Sequence, residues 1–169
     1  MRKTTRWEIA ELSATAAELW REYLATPGAD PGTGRWVADR FGDSAELATD
    51  LCELVLRGVK RATAPCVAEF LLAGEPIPVP GDHLVVLDGL GRARCIVRTT
   101  RVTIRRYEEV DAAFAALEGE GDGSLAWWRR EHLPYYQRVL APHGLMPTPR
   151  LPVVCEEFER VYLPADRTG

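Results

Sequence analysis

The chain has 169 residues, of which 46% are hydrophobic and 27% are charged, and its formal net charge is -4. This composition is typical of a soluble globular domain and excludes a chain that is disordered throughout. The acidic balance argues against long, non-specific duplex binding, because a phosphate backbone needs positive charge, but it leaves room for a local basic site.

The first predicted element is a helix over residues 13–25. Its apolar stripe is formed by Ala17, Trp20 and Leu24, at spacings of three and four residues. A glycine- and proline-rich loop follows the helix. Because tryptophans in this region favour burial, we interpret residues 1–40 as an N-terminal helical extension that is docked on the domain.

The second predicted helix begins and ends with clear signals. Asp43 lies three residues before Glu46, a spacing close to that of a capping box. Arg57 suits the negative end of the helix dipole, and Gly58 suits the position just after the last turn. The helix is therefore expected to end at the start of a polar segment.

The second half of the chain reads mainly as strands. A strand is predicted over residues 83–87, a hairpin turn over 88–91 and a long β-branched return strand over 93–107. A last strand is predicted over residues 152–162. The sequence therefore predicts an α+β fold with a mostly antiparallel sheet of about five or six strands, curled into a small β-barrel with flanking helices.

A helical segment lies between the long strand and the last one. It extends over residues 123–144, and Pro134 is expected to kink or divide it. With the extension set apart, we predict one domain over residues 41–163 and a C-terminal tail over 164–169.

The cysteines and histidines form no metal-binding motif. The four cysteines lie among apolar neighbours without a CxxC spacing, and the three histidines are scattered. The N-terminus lacks the apolar run of a signal peptide, and no stretch reaches the roughly 18 apolar residues of a membrane span. We therefore expect a cytoplasmic protein with no membrane partner, no metal and no cofactor.

Lys60 and Thr63 follow the helix-ending glycine and are three residues apart. In an extended strand three residues span roughly 10 Å, so these side chains meet only if the chain turns directly after Gly58. A lysine can act as a base for the hydroxyl only if its pKa falls from about 10.4 towards 7. Arg57 and Arg61 can supply the nearby positive charge that such a shift requires. A charged Lys60 that holds a phosphate or an oxyanion needs no such shift, and the sequence favours this role; Arg61 is also a candidate substrate-binding residue.

A second group of candidate residues lies in a glycine-rich turn. Glu118 and Glu120 precede a helix that Asp122 and Ser124 can cap. One interpretation is a solvated turn followed by a helix cap. The other makes one of the glutamates a general acid or base, carried by a turn that glycines allow to approach a ligand.

Arginines and aromatic residues suggest a nucleic-acid surface, although each group has a structural alternative. Arginines on an exposed strand can bind RNA or pair with carboxylates, and both interpretations stay open; Arg98 is a candidate substrate-binding residue. Tyr135 and Tyr136 are candidate walls of a cleft in which bases stack. The arginines on and beside the long strand are Arg92, Arg94, Arg98, Arg101, Arg105 and Arg106.

The chain resembles the ASCH domain family in four segments that occur in order. The family's opening helix and GxKxxT signature are similar to FGDSAELATDLCELVLRGVKRATA, in which Gly58, Lys60 and Thr63 match the signature. The later segments are PVPGDHLVVLDGLGRARCIVRTTRV, EEVDAAFAALEGEGDGSLAWWRREH and VVCEEFERVY. The resemblance covers roughly residues 41 to 163, and the extra helix and the EGEGD turn are similar to the longer bacterial branch.

This resemblance implies a PUA-like β-barrel with a cleft for RNA or modified nucleosides beside the signature. Some members resemble metal-independent amidohydrolases that remove an acetyl group from N4-acetylcytidine with the motif Lys, the motif Thr and a downstream Glu. The matching residues are Lys60, Thr63 and Glu120, with Glu118 as the second choice for the Glu. Other members resemble ribonucleases that use the motif Lys, a downstream Ser, here Ser124, and an upstream Tyr, for which this chain has no counterpart in its second helix.

Three functions therefore compete. The first is an enzyme that acts on single-stranded RNA or a modified nucleoside, as a ribonuclease or an amidohydrolase. The second is an RNA-binding module without catalysis, which the arginine-rich strand and its aromatic neighbours favour. The third is a domain that binds a small molecule or a protein, which the acidic charge of the chain allows.

Overall fold

The computed structural model describes residues 6–165, and it describes side chains from residue 15 onward. The helices are α1 Arg6–Leu24, α2 Ala45–Leu56, α3 Val67–Ala73, α4 Ala112–Glu118 and α5 Leu125–Leu140. The strands are β1 Trp36–Asp39, β2 Ala62–Thr63, β3 His83–Leu87, β4 Ala93–Arg106 and β5 Pro152–Tyr162. Short 3-10 turns follow β4 and α5, at Tyr107–Glu109 and Ala141–His143.

The five strands form one sheet in the order β1-β3-β4-β5-β2. The α+β class is as predicted, but the closed barrel is not: β1 runs parallel to β3, so the sheet is mixed, and β1 and β2 are the two edges of an open sheet. The pairs β3–β4 and β2–β5 are antiparallel. Closure would require the edge strands to pair, and these edges have only four and two residues.

Contacts between residues divide the chain into two compact units. Unit 1 comprises Met1–Gly58, Pro80–Thr99 and Glu159–Gly169, and unit 2 comprises Val59–Val79 and Thr100–Phe158. Strands β4 and β5 therefore contribute residues to both units. The boundaries drawn from the sequence, after residues 40 and 163, stay a prediction.

The core of unit 1 forms where α1 packs on β3 and β4. The buried face of α1 differs by about one residue from the predicted stripe, since Leu24 is 43% exposed whereas Leu19 is fully buried. This face meets the apolar side of the sheet, and such burial is what holds a helix of this kind in place. The core residues are Ala16, Leu19, Trp20, Tyr23, Val85, Leu87, Ala93 and Ile96.

Helix α2 shows the expected end signals with one change. Its N-cap is Ser44 rather than Asp43, and the Ser44 hydroxyl accepts a hydrogen bond of 3.2 Å from the Leu47 amide. Arg57 is the C-cap, and Gly58 follows with a φ of +73°. A positive φ favours glycine, so Gly58 lets the chain leave the helix at once.

The main strands agree closely with the sequence prediction. β3 and β5 have the predicted bounds, and β4 ends one residue earlier than expected. Helix α5 continues through Pro134, so the proline does not divide it. The edge strands β1 and β2 were not predicted, because strands this short carry almost no periodic pattern.

The core of unit 2 is formed by α4, α5, β2 and β5. Trp128 and Tyr136 are its largest apolar side chains, and both are fully or almost fully buried. Their position on one side of α5 gives this helix its inward face. The buried residues are Ala62, Ala64, Cys66, Val110, Phe114, Ala115, Trp128, Tyr136, Leu140, Leu151, Val153 and Cys155.

The thiols are buried, as the sequence predicts. All four cysteines are free, and burial raises the pKa of each, most strongly for Cys95 and Cys155, to about 12. Such thiols are poor nucleophiles because the thiolate is the reactive form. No helix within the described part of the chain is long and apolar enough to cross a bilayer.

Candidate functional site

Lys60 lies in the short segment between α2 and β2, and it is only 2% exposed. The segment is fixed by backbone hydrogen bonds of its neighbour: the Arg61 amide donates to the Leu117 carbonyl at 2.8 Å, and the Arg61 carbonyl accepts from the Phe158 amide at 2.9 Å. The Lys60 ammonium folds back and donates to the Ala62 carbonyl at 2.9 Å. The motif lysine is therefore held inside unit 2, while the side chain of Arg61 is exposed.

Both candidate glutamates contact Lys60. The Lys60 Nζ lies 3.3 Å from Glu118 Oε1 and 2.5 Å from Glu120 Oε1. Burial alone would lower the pKa of Lys60, but the two carboxylates more than offset it, so that the pKa lies above its usual value. Lys60 is therefore a charged ammonium at neutral pH.

Glu118 is the more deeply buried of the two glutamates. Its Oε2 accepts a hydrogen bond from Trp128 Nε1 and lies 3.1 Å from His132 Nε2. Burial opposes ionisation of Glu118, but Lys60, His132 and Trp128 outweigh it and lower the pKa of the carboxyl. Glu118 is therefore an ionised anchor rather than a proton donor.

Glu120 differs from Glu118 in its access to solvent. Its side chain is 14% exposed, against 2% for Glu118. The turn that carries it starts at Gly119, whose φ is +64° and whose missing Cβ would lie 2.6 Å from the Val59 carbonyl oxygen. Only glycine fits this approach, which brings the turn against the motif segment.

Thr63 lies on β2 and is half-buried, in register with Glu156 of β5. The segment from Lys60 to Thr63 leads into this strand and does not form the tight turn that a contact between the Lys60 and Thr63 side chains requires. Ser124 is the N-cap of α5, and its hydroxyl accepts a hydrogen bond of 3.1 Å from the Trp127 amide. Gly58, at the other end of the motif, is exposed.

The two tyrosines have different environments. Tyr136 is fully buried in unit 2, where its hydroxyl donates to the Ala64 carbonyl at 2.7 Å. Tyr135 is half-buried, and its hydroxyl donates to Glu69 Oε2 at 2.6 Å. A stacking role needs an exposed ring face, so Tyr135 suits this role better than Tyr136.

The arginines of the long strand are paired with carboxylates. Arg98 lies 2.5 Å from Asp30 and 2.7 Å from Glu159, and it borders a cavity of about 320 Å³ in unit 1 that Tyr23 also lines. Such pairs support the structural interpretation of the basic strand, since a paired arginine attracts phosphate less strongly. The other pairs are Arg92–Asp88, Arg94–Asp88, Arg94–Glu53, Arg101–Glu157, Arg105–Asp111 and Arg106–Glu108.

Sequence reasoning missed Trp128 and His132 as parts of the site. They are four residues apart on α5, and their rings are stacked with centroids 4.1 Å apart. A helical spacing of four places two side chains on one face, and this was the available signal. Within the part of the chain whose side chains are described, no group of three or more His, Cys, Asp or Glu residues is suited to hold a metal ion.

Comparison with known proteins identifies the family. A family model of the ASCH domain matches residues 37–162. The crystal structure of an ASCH domain from Lactobacillus crispatus JV V101 is 32% identical with a TM-score of 0.82, over 88% of this chain and 95% of that chain. The crystal structure of a protein from Enterococcus faecalis V583 is 29% identical with a TM-score of 0.73, over 92% of this chain and 90% of that chain. None of the curated proteins compared with this chain matches it. Since the family model spans more than half of its residues, the chain belongs to the ASCH domain family.

Proposed function

We propose that this protein is a hydrolase that acts on an acylated nucleoside of the N4-acetylcytidine type, free or within single-stranded RNA. The observation that carries the proposal is the buried ammonium of Lys60 held between Glu118 and Glu120. Membership of the PUA-like superfamily, which the resemblance implies, is part of this proposal, as is a location in the cytoplasm.

The charge of this cluster supports a substrate that is neutral where it reacts. When Lys60, Glu118 and Glu120 are all ionised, they carry one surplus negative charge. A phosphodiester placed there would meet two carboxylates, and like charges at close range in a partly buried site repel strongly. An acylated base brings an uncharged amide instead.

The donors of Lys60 indicate how a substrate would enter. An ammonium has three N–H donors, and three oxygen acceptors lie within reach of Nζ, from Ala62, Glu118 and Glu120. Glu120 is the more exposed of the two carboxylates and therefore the easier one to displace from Lys60. A substrate carbonyl that replaces Glu120 at Lys60 both gains a charged donor and frees the carboxylate to act as a base.

The reaction then balances with water as the co-substrate. Glu120 takes a proton from water while the water oxygen bonds to the acyl carbon, and the carbonyl becomes an oxyanion that the Lys60 ammonium stabilises. The oxyanion re-forms the carbonyl, the carbon–nitrogen bond breaks, and Glu120 passes the proton to the leaving amine. The products are a carboxylic acid and the free nucleoside. Thr63 is the candidate to position the nucleobase of the substrate. Arg61 and Tyr135 are candidates for contacts with the substrate at the entrance of the site.

The ribonuclease and the pure RNA-binding functions receive less support from these contacts. Ser124 is engaged as a helix cap, and the arginines of the long strand are paired with carboxylates. Weak RNA binding is still compatible with a substrate that is part of an RNA strand.

Liquid chromatography of N4-acetylcytidine incubated with the purified protein tests the proposal by following cytidine and acetate. We expect turnover by the wild type and a loss of about 100-fold or more in Glu120→Gln, because that variant loses its acid–base group. Glu131→Gln is the matched control, since Glu131 lies on α5 with a side chain that is 50% exposed.

Two results would contradict the proposal. One is wild-type protein that releases no product from N4-acetylcytidine or from other N-acylated nucleosides. The other is equal turnover in Glu120→Gln and the wild type. Cleavage of single-stranded RNA on a gel, in the absence of deacylation, would favour the ribonuclease instead.

A further inference from the structure

His132 has an oxygen acceptor at each of its two ring nitrogens. Nδ1 lies 2.9 Å from the Trp128 carbonyl oxygen, and Nε2 lies 3.1 Å from Glu118 Oε2. A carbonyl cannot donate a hydrogen bond, and neither can an ionised carboxylate. Both contacts are hydrogen bonds only when the ring carries a proton on each nitrogen, which makes it a cation.

The charges around His132 favour the same state. Glu118 faces it from α4, and behind Glu118 lie Lys60 and Glu120, with one surplus negative charge among the three. Charge that is buried without compensation is costly, and a second cation brings this cluster to neutrality. Lys60 opposes a cation at His132, but Glu118 lies between the two and contacts both.

The aromatic surroundings add a third contribution. The His132 ring is stacked on the Trp128 indole, with centroids 4.1 Å apart and an interplanar angle of 16°. A cation over the face of an indole is attracted by the ring electrons. The rings of Tyr136 and Tyr107 contact this stack, and burial raises the pKa of both hydroxyls, which keeps them neutral.

We infer that His132 is an imidazolium in the folded protein at neutral pH and that it acts as a positioning residue for Lys60 through Glu118. With two cations and two carboxylates the cluster is neutral, and Glu118 divides its oxygens between Lys60 and His132. When His132 loses a proton, Glu118 loses a donor and attracts Lys60 more strongly. The ammonium is then less available to a substrate oxyanion.

The protonation state stands by itself, whereas the effect on rate rests on the proposed hydrolase activity. Turnover should therefore fall on the alkaline side as His132 loses its proton. His132→Gln keeps an N–H donor for Glu118 but cannot carry the charge. We expect this variant to lose the alkaline limb and to show a kcat about 10- to 100-fold below the wild-type plateau, as for a slightly misplaced catalytic group, with KM little changed.

Nitrogen NMR of the intact protein with labelled histidine tests the charge without any substrate. The spectrum of His132→Gln assigns the His132 signals, and the exposed His143 serves as an internal reference. We expect the His132 ring to be doubly protonated at pH 7. A neutral His132 ring at that pH overturns the inference, whether or not the protein is an enzyme.

The kinetic arm separates the two proposals. If the NMR result is as expected and the wild type deacylates, an alkaline limb that persists unchanged in His132→Gln overturns the positioning role. If the wild type shows no deacylation, the proposed function fails while the NMR result still decides the charge. His143→Gln is the control variant and should match the wild type in turnover and in the charge of His132.

Discussion

Lys60 and Glu118 form an ion pair in which both side chains are almost completely removed from solvent, at 1% and 2% exposure. Removing one partner of such a pair leaves the other charge buried. We therefore expect Glu118→Gln to lower the free energy of unfolding by about 3–5 kcal/mol. Glu120→Gln should cost clearly less, because Glu120 reaches solvent. Urea unfolding of the two variants measures the difference, and equal losses would contradict the anchoring role of Glu118.

Acid should weaken the protein through Glu118. The carboxyl opposes its own burial, but its cationic and N–H partners lower its pKa from 4.5 to about 2. A carboxyl whose pKa is lowered in the folded state stabilises the protein at pH values above its ordinary pKa. This contribution is lost as the pH falls from about 4.5 towards 2. Unfolding curves at several pH values should show a shallower dependence in Glu118→Gln over this range. A slope identical to that of the wild type would contradict this assignment.

His83 is a buried polar group without a hydrogen-bonding partner among the described residues. It is 2% exposed, both ring nitrogens lack such a partner, and its ring packs on Trp20 with centroids 4.9 Å apart. Burial, and then the nearby Arg98, lower the pKa of His83. We expect His83→Leu to raise the free energy of unfolding by about 1 kcal/mol at neutral pH, because an unsatisfied polar group is removed.

His83 should also make the stability of the folded protein depend on pH. Because the folded-state pKa of His83 lies below the ordinary value of 6.5, the unfolded chain binds more protons, and the wild type loses stability as the pH falls below about 6.5. Thermal unfolding at pH 7 and pH 5 should show that His83→Leu loses less. His143→Leu is the surface control, and a larger loss in His83→Leu than in this control would refute the assignment.

The turn that carries Glu120 should tolerate alanine at Gly123 and not at Gly119. Gly119 and Gly123 both have a positive φ, of +64° and +73°, but only Gly119 lacks room for a Cβ. Gly123→Ala should cost about 1 kcal/mol for its backbone conformation alone. Gly119→Ala adds the clash with the Val59 carbonyl, so we expect at least twice that loss in urea unfolding, together with reduced deacylation. Equal losses in the two variants would show that the close approach is not required.

The sequence predicts the regular elements well and the connections between them less well. β3 and β5 were predicted residue for residue because their β-branched runs are bounded by turn residues. β1 and β2 were missed because strands of two to four residues are too short to show an alternating hydrophobic pattern. Without these strands the edges of the sheet, and hence its open form, cannot be predicted. Pro134 was expected to break α5, but packing of Trp128 and Tyr136 on both sides of it holds the helix together.

The candidate site was only partly visible in the sequence for a similar reason. The motif suggested Lys60, and the glycine-rich turn suggested Glu118 and Glu120. Their contacts, however, join side chains that are separated in the sequence by 58 positions for Lys60–Glu118 and 60 positions for Lys60–Glu120. The Lys60–Thr63 pair required a tight turn directly after Gly58, whereas the chain there leads into β2, whose pairing with β5 is a tertiary contact that no local pattern predicts. His132 carried no motif, because its role depends on the side chains around it.

The interleaved order of the two units limits how the protein can be cut. Three segments of the chain form unit 1 and two form unit 2, so the polypeptide passes from one unit to the other four times. No single truncation yields either unit complete, and deletion mapping of activity will remove parts of both at once. Isolating the Lys60 cluster would instead require removing all three segments of unit 1 and joining Val79 to Thr100 with a designed loop.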